Sequence, residues 1–241
     1  MRGMNMKLQA FALASITVLA TGAIANATPT GNIAYTFTNG TASSSGYGTG
    51  SVGLPTNPLV VGSFNVLALE ATTSSPDASS AISGISLEVT NTSTTSTETL
   101  DLNVSAINFS SPSLATPVTI TGTDSFSTAA ASTTDTVNFT EYADTNNAFY
   151  GTAVSSPTNT TTFANGTPVS TYPSGVTLTL APVSAGTQYS VTDEFQITLA
   201  AGASTTFSFL NTAAPTPEPA SLGLMGLAGA GALLVTRRRK V

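Results

Sequence analysis

The stretch Leu100-Asp101-Leu102-Asn103-Val104-Ser105-Ala106-Ile107-Asn108-Phe109 alternates apolar and polar side chains as far as Ala106. Successive side chains leave a pleated backbone on opposite sides, so a period of two marks a strand with one dry face and one wet face. Leu100, Leu102, Val104 and Ala106 are expected to face a core, with Asp101, Asn103 and Ser105 pointing outward. Upstream, Ile85, Leu87 and Val89 repeat the pattern, and the polar run 91–99 serves as the connection. Further outward, alternating or short apolar runs predict strands at 33–37, 59–69, 82–89, 118–120, 137–142, 176–180, 189–199 and 205–210. The Gly-, Ser-, Thr-, Asn- and Pro-rich segments 38–57, 72–80 and 153–174 read as surface loops. Residues 188–210 read as a final hairpin turning at Ala201-Gly202-Ala203, and 213–216 as a short tether. The interval 28–214 has no capped 3.6-residue period and no long repeat, so the expected fold is all-β, a single antiparallel β-sandwich or jelly-roll-like body.

Composition removes most catalytic chemistry. Among 241 residues there is no histidine, cysteine or tryptophan, and only 7% are charged. Imidazole proton transfer, thiolate nucleophiles and Cys/His metal centres are therefore excluded. The absence of cysteine also means that the core must hold without disulfides. The 6 basic residues lie at the ends, Arg2 and Lys7 at one and Arg237, Arg238, Arg239 and Lys240 at the other, whereas the 12 acidic residues all fall between Glu70 and Glu218. A body without a cation repels phosphate, so nucleic acid is not an expected partner.

The two ends read as addresses. A basic start (1–7), an apolar run (8–24) and Ala25-Asn26-Ala27 form the three parts of a secretory signal helix spanning 1–27, with the small side chains Ala25 and Ala27 at the signal peptidase site. Cleavage after Ala27 by signal peptidase, following passage through the secretion machinery, is the expectation. At the far end Pro217-Glu218-Pro219 precedes the uncharged segment 220–236 and the cluster Arg237-Arg238-Arg239-Lys240. At ~1.5 Å per residue that segment makes a helix of roughly 25 Å, at the short limit for a transmembrane span. The four cations stop transfer and hold the tail on the cytoplasmic side, which leaves the body outside.

This tripartite tail, 215–241, resembles the PEP-CTERM sorting signal of Gram-negative bacteria, on the strength of Pro217-Glu218-Pro219-Ala220-Ser221, the Gly/Leu-rich span and the basic cluster. The resemblance implies processing by an exosortase, a membrane-embedded transpeptidase-like enzyme. It assigns recognition to Pro217, Glu218 and Pro219 and stop-transfer to Arg237 through Lys240. It implies export through the inner membrane as a single-pass precursor, then release or transfer to the cell surface or extracellular matrix.

For the body, carboxylates are the remaining catalytic option. Glu141 with Asp144, or Asp193 with Glu194, are the nominations for a glycan hydrolase, but adjacent strand residues point to opposite faces and no tryptophan is present to stack a sugar. No enzyme and no resident cofactor are expected. Calcium is the one metal that the oxygen donors suit, with Glu141, Asp144 and Asn146 as its candidates, where acids and amides crowd together without the spacing of an EF-hand. For carbohydrate, the rings in loop-like regions are Tyr47, Tyr150 and Tyr172. The expected role is structural or adhesive, in exopolysaccharide or biofilm, with a calcium- or carbohydrate-binding module as the alternative.

Overall fold

The computed structural model describes residues 31–75, 82–128, 135–162 and 174–216, the side chains of 83–86, 124–128 and 174–175 excepted. The signal segment, the sorting tail from Pro217 onward and Tyr172 lie outside these residues. Strands numbered in chain order form two sheets. The front sheet runs β10 (Val154–Ser155), β9 (Thr136–Asp144), β13 (Tyr189–Leu199), β7 (Glu98–Phe109), β1 (Ile33–Asn39), β2 (Ala42–Gly48), with β11 (Asn159–Thr162) also on β9. The back sheet runs β12 (Ser174–Leu180), β8 (Val118–Thr128), β14 (Ser204–Pro215), β6 (Ile82–Asn91), β5 (Phe64–Thr73), β3 (Ser51–Gly53), with β4 (Leu59–Val61) on β5. Every pairing is antiparallel. This is a β-sandwich, and no helix long and apolar enough to cross a membrane occurs among the described residues.

The alternation in β7 does what its period requires. Leu100, Leu102, Val104 and Ala106 are fully buried, and they pack in one core with Leu87 and Val89 of the back sheet. Aromatic rings join the two sheets. Phe139 stacks on Phe195 at 4.7 Å, and Phe195 meets Phe207 and Phe209 of β14, each at 4.9 Å. Ring pairs at such spacings add to the burial of their large apolar area.

With no lysine or arginine between residues 7 and 237, asparagine amides do the cross-linking that ion pairs do elsewhere. Asn39 of β1 donates to the Thr99 carbonyl at 2.8 Å and accepts from the Ser63 amide, in the β4–β5 turn, at 3.1 Å. Asn91, fully buried at the end of β6, donates to the carbonyls of Leu199 (2.9 Å), Ser96 (3.0 Å) and Ala200 (3.1 Å). Gly62 turns the β4–β5 hairpin at φ 57°, and a side chain there would strike the Asn39 amide.

Four sequence expectations change. The segment 38–57 is not one loop, because the Ser-rich β2 and the short β3 form within it. Small residues suit that strand, since a Cβ on Gly46 would lie 2.5 Å from the Tyr35 ring. Likewise 153–174 contains β10 and β11. The turn at Ala201-Gly202 exists, with Gly202 at φ 73°, but β13 and β14 belong to opposite sheets, so 188–210 is an arch between layers and not a hairpin. Finally, 213–216 is no tether. Ala213, Ala214 and Pro215 pair with β8, and Thr216 donates its amide to the Pro117 carbonyl at 2.8 Å.

Candidate functional site

The outward face of the front sheet gathers hydroxyl, amide, acid and phenol side chains. Register sets its side chains in rows: Tyr47, Ala34, Ser105, Thr192 and Tyr142 in one, and Ser45, Thr36, Asn103, Glu194 and Thr140 in the next. Tyr142 donates to Glu194 Oε2 at 2.6 Å, and burial together with that bond pushes the phenol up to about 12. Gln196 donates to Asp101 and accepts from Asn138, which extends the amide and acid network along the face.

Over this face folds the segment 145–153. It leaves β9 through an Asx turn, in which the Asn146 amide donates to Asp144 Oδ1 at 2.8 Å. Asn147, at φ 56°, exchanges bonds with Asn108, accepting from its backbone amide at 2.6 Å and donating to Oδ1 at 2.7 Å. Tyr150 stands at φ 57°, a left-handed conformation that is strained for a bulky side chain. Its amide donates to Ser105 Oγ at 3.0 Å, and its hydroxyl accepts from Thr36 Oγ1 at 2.9 Å. Burial, partly offset by the Thr36 bond, raises the Tyr150 phenol to about 12. Gly151 is required beside it, because a Cβ there would overlap the Asp144 side chain.

The strained loop gathers three rings. Phe149 packs edge-on to Tyr47 at 5.9 Å and lies 6.2 Å from Tyr150. Tyr47, 46% exposed, is the ring most open to solvent. Two of the three tyrosines expected to offer rings, Tyr47 and Tyr150, are thus bridged by Phe149, although Tyr47 stands on a strand and not on a loop. Phe149 was missed by the sequence reading, although its place beside Tyr150 was the available signal.

The carboxylates sort differently from the nominations. Glu141 and Asp144 lie on opposite sides of β9, Glu141 between the sheets and Asp144 under the folded loop. Glu141, Asp144 and Asn146 therefore do not converge on one calcium ion, because the odd offset between Glu141 and Asp144 points them apart. Asp193 and Glu194 also divide, as the pleat demands, into an inward and an outward residue. What the register does bring together is Glu141 with Asp193, directly paired across β9 and β13 and both fully buried. Burial first, and the Asp193 charge second, push Glu141 up to about 9. The Gly122 amide opposes the shift but stops short of hydrogen-bond geometry. A signal for this pair was present: Glu141 shares the phase of Val137, Phe139 and Ala143, and Asp193 that of Val191, Phe195 and Ile197.

Comparison with known proteins assigns the tail. Residues 215–240 match the PEP-CTERM protein-sorting motif. The motif implies export, an exosortase partner and a precursor anchored in the membrane at its C-terminal end. The motif begins at Pro215, the last residue of β14. No curated protein matches the chain. Distant likenesses among solved structures include the tailspike protein 4 of bacteriophage CBA120, at 10% identity and TM-score 0.27 over 73% of this chain and 19% of that one. Others are the α-L-arabinofuranosidase MgGH51, at 17% identity and TM-score 0.27 over 63% and 23%, and TmCBM61 in complex with β-1,4-galactotriose, at 7% identity and TM-score 0.23 over 69% and 87%. The chain spans about a fifth of the length of the first two.

Proposed function

We propose that the protein is a non-enzymatic surface or matrix component of a Gram-negative bacterium, whose body holds exopolysaccharide on the outward face of the front sheet. The observation that carries this reading is the convergence of Tyr47, Phe149 and Tyr150, from β2 and a strained loop, beside a field of hydroxyls, amides and the Tyr142–Glu194 pair. A ring with one open face stacks on the apolar side of a pyranose, and neighbouring polar groups bond its hydroxyls. In this reading the uncharged segment 220–236 anchors the precursor until exosortase acts, and the acidic body faces outward.

The test is a glycan array followed by calorimetry, using the cell's own exopolysaccharide as one ligand. Tyr47→Ala should weaken binding by about tenfold or more while leaving stability within about 0.5 kcal/mol. Equal affinity for the variant and the parent protein would refute the assignment to this face.

A further inference from the structure

Between the sheets, Glu141 of β9 and Asp193 of β13 face Asn211 of β14, which donates from Nδ2 to Asp193 Oδ1 at 2.6 Å and is 1% exposed. Both carboxylate oxygens of Glu141, and the Oδ1 of Asn211, are buried without a hydrogen-bond partner. All three of these atoms are acceptors. Buried acceptors of this kind are costly unless a donor or a positive charge meets them. No histidine exists in the chain and no lysine or arginine lies between residues 7 and 237, so the body's own side chains offer no cation.

We propose that Glu141, Asp193 and Asn211 form a buried divalent-cation site, filled by calcium, that ties the front sheet to the back sheet. The donor set is all oxygen, which suits a hard ion and not zinc or copper, and two carboxylates balance a charge of two. Gly122, the β8 partner of Asn211, keeps space beside the amide, since a Cβ there would lie 2.9 Å from Asn211 Oδ1. An open groove of about 430 Å³ lies at the same edge, lined by Pro157, Thr158, Asn159, Val176 and Thr177. Val176 is the β12 partner of Gly122, and the neighbouring Ser156 bonds the Glu141 backbone through both its amide and its hydroxyl. The site shares only Glu141 with the calcium set expected from sequence, and it is independent of polysaccharide binding.

The full-length protein, purified in detergent without chelator, should carry about one calcium per chain by elemental mass spectrometry. At pH 7 its melting midpoint should fall by about 5–10 °C when EDTA replaces an excess of calcium chloride. The double variant Glu141→Gln/Asp193→Asn keeps the shapes without the charges, and should hold no calcium and melt alike in both solutions. Parent protein with no stoichiometric divalent cation, and with the same midpoint in calcium and in EDTA, would overturn the proposal. A proton would then close the pair. The sign is distinctive: because Glu141 is held above its ordinary 4.5, stability would fall steadily as pH rises from there towards about 9.

Discussion

Gly122 illustrates how much one missing side chain decides. Its hypothetical Cβ would sit 2.9 Å from Asn211 Oδ1 and 2.9 Å from two atoms of the Phe139 ring, so both the buried amide and the aromatic stack depend on it. Gly122→Ala should therefore destabilise the fold by about 1–3 kcal/mol through overpacking. Urea unfolding measures this, and an unchanged midpoint would mean that neither neighbour is held in place. Nothing local in Thr121-Gly122-Thr123 distinguishes this glycine from one in a turn, because the groups that need its space come from β9 and β14. Glu141 is the opposite case. An acid in the apolar phase of a strand is legible as an anomaly, but Asp193 as its neighbour is not, since the pairing of β9 with β13 is a matter of register.

At the level of strands, the apolar phase was legible and the partner was not. The alternation of 189–199 and 205–210 is the same whether the two strands lie side by side or face each other across a core, so a turn at Gly202 reads as a hairpin when it is an arch. Asn91 helps to hold the arch, through bonds to the Leu199 and Ala200 carbonyls at its base. Asn91→Ala should cost about 1–3 kcal/mol, because those buried acceptors would lose their donor. A denaturant midpoint equal to that of the parent protein would show that the arch holds without it. Strand β2 was hidden for another reason. Ser43, Ser44 and Ser45 carry no apolar signal, and the strand forms as the edge partner of β1.

For the molecule as a whole, two layers share one core while the sorting motif starts on the final strand. Thr216 still belongs to the fold, through the hydrogen bond from its amide to the Pro117 carbonyl and a 2.7 Å hydroxyl contact with Thr119. Sorting motif and fold thus overlap at Pro215 and Thr216, and the expected recognition residues follow directly in the chain. The double substitution Pro217→Ala/Glu218→Ala should leave the melting midpoint unchanged and cause the membrane-bound precursor to accumulate. Intact masses from membrane and medium fractions measure this, and normal processing of the variant would remove these residues from recognition. The export address and the all-β class could be read from residue order because each rests on near neighbours: a period of two along a strand, or a motif, an apolar run and a basic cluster in succession. The aromatic face, the Glu141–Asp193 pair and the Tyr142–Glu194 bond needed the folded chain. Sheet pairing places side by side residues such as Tyr142 and Glu194, 52 positions apart, and no local pattern encodes which distant strand will lie alongside.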